Sequence, residues 1–246
     1  MPQGKQVQAM FSGIAGKYDL LNHLLSLGTD FYWWRRMARS TGAGPGQRFL
    51  DVAAGTGDSS LALARRGAEV VSTDFTQAML KQGPAKFRRK GMAQRIWASV
   101  GADAQRLPFR TASFDGITIC YGIRNVEDRP RAYREFLRVL KPAGRLTILE
   151  FSRPRFAWLR LLYDTYSLRV LPRIGGWLSG AREAYTYLPA SIRAFPDQAA
   201  LAAELAQAGF GEIQWVNLTG GIVALHSARK PDLPPSAMMG TESGSR

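Results

Sequence analysis

The chain has 246 residues, 46% of them hydrophobic, and 33 Lys and Arg against 19 Asp and Glu give a formal net charge of +14. This suits one α/β domain with additions and a sizeable core; the single cysteine, Cys120, excludes an intrachain disulfide and points to a reducing compartment, the cytoplasm. The first residues, MPQGKQVQAMFSG, lack a signal-peptide core, and no run of about 18 apolar residues exists to span a membrane, so the positive charge predicts an anionic partner, nucleic acid or an anionic membrane face, unless it only reflects a basic proteome.

Residues 5–40 are predicted helical. YDLLNHLLSLGTDFYWWRRMARS sets Tyr18, Leu21, Leu24 and Leu25 at helical spacing, Gly28 breaks the run, and Asp30 is a candidate cap for a second helix with Tyr32, Trp33, Trp34 and Met37. Aromatics beside arginines suit a lid over a flat hydrophobic ligand, residues 1–45, and suit an ordinary packed helix pair as well. TGAGPG, residues 41–46, is a linker. The stretch FLDVAAGTGDSSLALARRG, residues 49–67, reads as a strand buried on both faces, a glycine turn and a helix. Gly55 and Gly57 bracket Thr56 where a ligand must come close to the backbone, and Asp58 and Ser59 are candidate helix caps. AEVVSTD is a second strand ending in Asp74, about 20 residues past the glycines, the spacing at which a carboxylate grips a ribose diol. A helix over residues 76–90 and a third strand lead to Asp103 and Ala104. An apolar fourth strand releases Tyr121, Arg124 and Asn125 into the same crevice. A helix over residues 129–140, a KPAG turn and the fifth strand RLTILEFS follow.

Residues 154–195 mix Trp158, Leu161, Leu162, Tyr166, Leu168 and Val170 with Arg155, Arg160, Arg169 and Arg173 before Pro172 breaks the helix. Such a segment can lie in a membrane interface, roof an apolar pocket or pack on the sheet with its arginines in water. FPDQAALAAELAQAGF is a capped surface helix, GEIQWVNLTGG and IVALHSARK close the sheet, and residues 231–246 are expected to be a disordered tail.

A dinucleotide turn needs a third glycine, but Ser60 stands there, and the acidic Asp51 at the strand end repels a pyrophosphate while suiting a cationic ligand. S-adenosylmethionine has an ammonium, a sulfonium and a ribose diol. DVAAGTGD followed by TD resembles the first two motifs of class I S-adenosylmethionine-dependent methyltransferases. That implies an α/β, Rossmann-like, seven-stranded, mostly parallel sheet with helical additions, and a cofactor site of Asp51, Gly55, Thr56, Gly57, Asp74, Asp103, Ala104 and Cys120, with Asp103 and Ala104 beside the adenine.

YDLLN with Ser26 and Trp33 downstream, GIRN at residues 122–125, RVLKPAGRLTILEFS and LTGGIVALH further resemble the ubiquinone/menaquinone biosynthesis C-methyltransferases over residues 8–230. Departures are Asp30 where a His is often found, Leu21 for Met, Ala143 for a second Gly and Cys120 for a frequent Ser. The resemblance implies carbon methylation of a polyprenylated quinol: demethylmenaquinol to menaquinol, 2-methoxy-6-polyprenyl-1,4-benzoquinol to its methylated product, or both. Such chemistry needs a ring hydroxyl to lose its proton. Arg124 can stabilise the oxyanion, Asn125 can orient ring oxygens, Tyr121 can stack, and Asp19 with Tyr18 can complete the site. Bland roles compete: Arg124 as a carboxylate's partner, Asp19 as a helix cap. No metal is expected, and His23 and His226 read as structural. The implied substrate makes an anionic membrane the partner, bound peripherally through residues 154–180 from the cytoplasmic side; a homo-oligomer is compatible. Rival classes are a nucleic-acid methyltransferase, disfavoured because CYGIRN lacks an N-P-P-Y motif, a small-phenol O-methyltransferase, and an inactive quinone-binding scaffold.

Overall fold

The computed structural model describes residues 4–170 and 182–232. Three helices open the chain: α1 (Gly4–Ile14), α2 (Tyr18–Leu25) and α3 (Thr29–Ser40). Strand and helix then alternate: β1 (Arg48–Val52), α4 (Asp58–Ala64), β2 (Glu69–Asp74), α5 (Gln77–Leu80), α6 (Gly83–Arg89), β3 (Ile96–Gly101), β4 (Phe114–Cys120), α7 (Arg129–Val139) and β5 (Leu140–Phe151). Then come α8 (Ala157–Thr165), running into a π turn at Tyr166–Val170, α9 (Arg182–Ala194), α10 (Gln198–Gln207), β6 (Gly211–Leu218) and β7 (Val223–Arg229).

The seven strands lie in the order β3-β2-β1-β4-β5-β7-β6, with β7 antiparallel to both neighbours and the other pairings parallel. The order reverses direction between β1 and β4, so a crevice opens beyond their carboxyl ends. β1 shows why its sequence is apolar without alternation. Phe49 faces one core with Leu61, Leu63 and Phe87, while Leu50 and Val52 face the other with Ile117, Tyr133 and Phe136.

Local chemistry changed several boundaries. The predicted helix over residues 76–90 is two, because Gly83 and Pro84 restart it as α6. Asp30 does not cap α3; the left-handed Gly28 does, and Asp30 lies buried in the first turn. Likewise Gly57, at φ 94°, precedes α4, and Asp58 is its first residue. KPAG is no separate turn but part of β5, with Ala143 at φ 56° in the place of a glycine. Helix α3 buries Trp33, Met37 and Ala38 in the core that covers β1 and β5. Pro172, Arg173 and the stretch from residue 233 onward lie outside the described residues.

Candidate functional site

The glycine turn is anchored from below. After β1, Ala53 (φ 53°), Gly55 (φ 58°) and Gly57 (φ 94°) are all left-handed, which folds the chain back on itself at the strand end. A Cβ on Gly57 would overlap the Phe87 ring, so α6 packs directly on the turn. Asp51, expected to face a cationic ligand, instead points down into the protein. It is wholly buried and accepts hydrogen bonds from Ser59 Oγ (2.6 Å), Ser60 Oγ (2.5 Å) and Thr118 Oγ1 (2.8 Å). Burial pushes its carboxyl up to about 6, against those three hydroxyls and with help from the nearby Asp74. Its role is to tie β1, β4 and the start of α4 together.

Asp74 stands where a ribose-binding carboxylate is expected. One oxygen accepts the Gly55 N–H at 2.8 Å and the other the Thr76 N–H at 2.7 Å. Burial raises its carboxyl, while these backbone donors hold it down. With the Thr76 hydroxyl also donating to it, the carboxylate still has lone-pair capacity for a diol. Beyond β3, Asp103 accepts the backbone N–H of Gln105 at 2.9 Å and Ala104 packs on the core under β1 and β4. These residues follow the carboxyl ends of β2 and β3, one side of the turn.

On the other side is a cavity of about 620 Å³. Its walls come from α1, α2, α3, the glycine turn, the end of β4, and α8 and α9. Thr56, Asp58, Cys120, Tyr121 and Arg124 line it; Asp74, Asp103, Ala104, Asn125 and Asp19 do not. Tyr121, at φ 56°, turns its ring into an aromatic cluster, 4.7 Å from Phe151 and edge-on to Trp34 at 5.4 Å. Trp33 joins Phe151 edge-on at 6.2 Å, and its Nε1 donates to Thr219 Oγ1 at 2.8 Å. Burial, with Asp51 and Glu150 close by, raises the Cys120 thiol well above its ordinary value.

Arg124 is buried in the short turn Ile123–Asn125 after β4. Its Nη1 donates to the Tyr121 carbonyl (2.5 Å) and to Glu150 Oε1 (2.7 Å). Glu150 sits almost at the end of β5, fully buried; burial raises its carboxyl against the pull of Arg124. The bland reading of Arg124 as a carboxylate's partner therefore holds, and the guanidinium still faces the cavity. Asn125 is one step back, its Oδ1 accepting from the Tyr187 hydroxyl at 2.9 Å, and Tyr187 lines the cavity from α9.

Asp19 is neither a helix cap alone nor a cavity residue. Its carboxylate accepts from Thr56 Oγ1 (2.5 Å) and pairs with Lys86 Nζ (2.7 Å), which also pairs with Asp58 at 2.6 Å. It latches α2 onto the glycine turn. Lys86 and Glu150 escaped sequence reading. Glu150 had a signal, a charge inside the apolar run LTILEF; Lys86 lay in a basic helix where nothing set it apart.

The match to known proteins decides the family. The ubiE/COQ5 methyltransferase family model covers residues 2–230. The chain belongs to that family. A demethylmenaquinone methyltransferase of Mycolicibacterium paratuberculosis is 47% identical over 227 residues, 92% of this chain and 95% of the relative. Among solved structures, the cyclase SpnF superposes with a TM-score of 0.69 at 20% identity, covering 94% of this chain and 97% of its own. A SAM-dependent methyltransferase from Aquifex aeolicus gives 0.59 at 16% identity, over 80% and 88%. These structures share the fold, a class I, Rossmann-like one. Family membership makes the chain an S-adenosylmethionine-dependent methyltransferase. Its donor set fits that cofactor: a carboxylate with spare lone pairs at the end of β2, left-handed glycines at the close approach, and Thr56, Asp58 and Lys86 at the turn.

Proposed function

We propose that this chain methylates a ring carbon of demethylmenaquinol, giving menaquinol, with S-adenosylmethionine as the methyl donor. The observation that carries the reading is the aromatic cavity with the Arg124 guanidinium in its wall, directly beside the glycine turn. The name of the 47%-identical relative supports the naphthoquinol over the methoxybenzoquinol, which remains the second substrate to test.

When bound, the cofactor supplies an electrophilic methyl group. Asp74 holds its ribose diol, Asp103 and Ala104 flank its adenine, and Gly55, Thr56, Gly57 and Cys120 line its path toward the cavity. Trp33, Trp34, Tyr121 and Phe151 hold the flat quinol ring and exclude water. Arg124 faces the ring hydroxyl next to the reacting carbon and stabilises its oxyanion, which pushes electron density onto that carbon. It stays protonated and acts by charge, not as a base. Glu150 and the Tyr121 carbonyl fix its direction, and Asn125 works through Tyr187.

The isoprenoid tail confines such a substrate to a bilayer, so the reading includes peripheral binding at an anionic membrane face. Supporting it, Phe156, which precedes α8, and Trp158, Leu161 and Leu162 within it are more than half exposed, as are Leu20, Leu27 and Phe31 of the α2–α3 corner, and Leu27 and Leu162 also line the cavity. In the domain organisation proposed here, residues 1–45 and residues 154–195 are additions to a methyltransferase domain ending near residue 230. Among the described residues no helix is long and apolar enough to cross a membrane.

Purified protein with labelled S-adenosylmethionine and two short-tailed quinols, demethylmenaquinol and the methoxybenzoquinol, tests the reading by mass detection of product. Methylation of the naphthoquinol is expected. Tight cofactor binding with no product from either quinol would sink it. Co-sedimentation with anionic vesicles should weaken when Arg160, Arg169 and Arg173 are replaced; insensitivity would remove the membrane part.

A further inference from the structure

The proposed chemistry needs something Arg124 cannot provide, a place for the quinol's proton. The cavity wall offers Asp30, which does not cap its helix. Asp30, 5% exposed in the first turn of α3, lines the cavity beside Asn22 of α2 and Ser26 of the turn that follows it. One of its oxygens accepts from Ser26 Oγ at 2.9 Å; the other meets Nδ1 of His23. His23 stacks on Phe31 at 4.5 Å, which fixes its ring plane. Its side chain is 27% exposed, so the pair reaches from the cavity wall to solvent.

We propose that Asp30 and His23 form the proton-accepting pair for the quinol, Asp30 as the catalytic residue in the cavity and His23 as the positioning residue that carries the proton on to water. The inference rests on the methyl-transfer reading above. In the step, the O–H bond of the ring hydroxyl breaks and its proton passes to the Asp30 carboxylate and on to the imidazole. The oxygen's electron pair moves through the ring, and the ring carbon bonds the methyl as the carbon–sulfur bond breaks and a neutral thioether leaves. The ring carbon then loses its own proton and the oxygen regains one, so one proton in total reaches solvent.

The other titratable groups on the described cavity wall are poorly suited. Asp58 is held by Lys86, and Arg124 is a permanent cation committed to Glu150. Burial raises the Cys120 thiol and the Tyr163, Tyr166 and Tyr187 phenols, with Tyr163 pushed up to about 12. Tyr121 contributes its ring to the aromatic cluster. On α2 itself, Asp19 is engaged by Thr56 and Lys86. The Asp30 carboxylate, by contrast, lies in the cavity wall and is backed by an imidazole that reaches solvent, so a proton taken up there has a way out.

The test measures methylation by the parent, by Asp30→Asn and by His23→Gln, with cofactor affinity from calorimetry and folding from thermal melts. Loss of a general base lowers kcat by about 100-fold or more. Asp30→Asn should show that loss while cofactor affinity and quinol KM stay within about threefold, the margin of a merely local change. His23→Gln should lose the rising limb of the pH–kcat profile, which a purely structural histidine would leave in place. If both folded variants keep the parent's kcat and pH limb, the inference is overturned. A parent that binds cofactor but methylates no quinol overturns instead the function proposed above, and that failure shows in the parent and not in the variants.

Discussion

The two halves of the site are built in opposite ways. The glycine-turn half is made of strand ends, and its polar groups are neutralised by near neighbours: three hydroxyls on Asp51, two backbone N–H groups on Asp74. The cavity half is made of helices drawn from residues before 41 and after 156, and its main charge, Arg124, is satisfied by Glu150, 26 residues away. The first half is preorganised by the sheet, whose β1–β4 pairing brings even Thr118, 67 residues on, to Asp51. The second exists only when distant segments meet, so its integrity depends on a few long-range contacts.

The sharpest way to break that contrast is at Arg124. Arg124→Met leaves Glu150 as an unpaired buried charge and is expected to cost about 3–5 kcal/mol. Thermal melting should fall by about 6–20 °C for a chain of this size, with methylation lost. Adding Glu150→Leu should return most of the stability and none of the activity; a double variant as unstable as the single one would mean that the pair is not what holds this wall.

In the sheet half, the Asp51 carboxyl titrates near 6 in the folded protein against 3.8 when free, so the native state binds the proton more tightly than the unfolded chain. Its contribution is therefore greatest below pH 3.8 and is lost as pH rises through 6, about 3 kcal/mol in all. Urea titrations of parent and Asp51→Asn at pH 4 and 7 should differ by that amount between the two pH values, and a constant difference would refute it. Next in size, Gly57→Ala forces a side chain into a left-handed position against the Phe87 ring, at about 2 kcal/mol. Cofactor affinity by calorimetry should drop with it, since the turn must move. The smallest effect belongs to the cavity half: Thr219→Val removes the acceptor of the Trp33 indole and should cost about 1 kcal/mol in denaturant unfolding, with the aromatic wall otherwise intact.

The same contrast explains what the sequence disclosed. Strand, turn and helix over residues 49–67 were legible because a parallel strand, left-handed glycines and a following helix are local requirements. The residues that face the crevice were legible from strand ends. The direction in which Asp51 points was not, because burial beside Ser59, Ser60 and Thr118 is decided by packing of a third element. Asp19 and Asp30 were noticed as possible caps, yet both serve partners outside the helix start: Lys86 and Thr56 for one, His23 for the other. The end of the fourth strand disclosed Arg124 and Asn125, whereas their partners Glu150 and Tyr187 come from segments that only the tertiary fold brings to them.

The latch through Asp19 has an equilibrium meaning. Thr56 belongs both to the glycine turn and to the cavity wall, and Asp19 and Lys86 clamp it to α2, whose Asn22, with Ser26 just beyond the helix, lines the cavity. A ligand that shifts this cluster from one side changes the free energy of filling the other. Reciprocity then requires that whatever factor one ligand adds to the affinity of its neighbour is returned to it in full. To the extent that filling one compartment displaces this cluster, the two compartments share one coupling free energy.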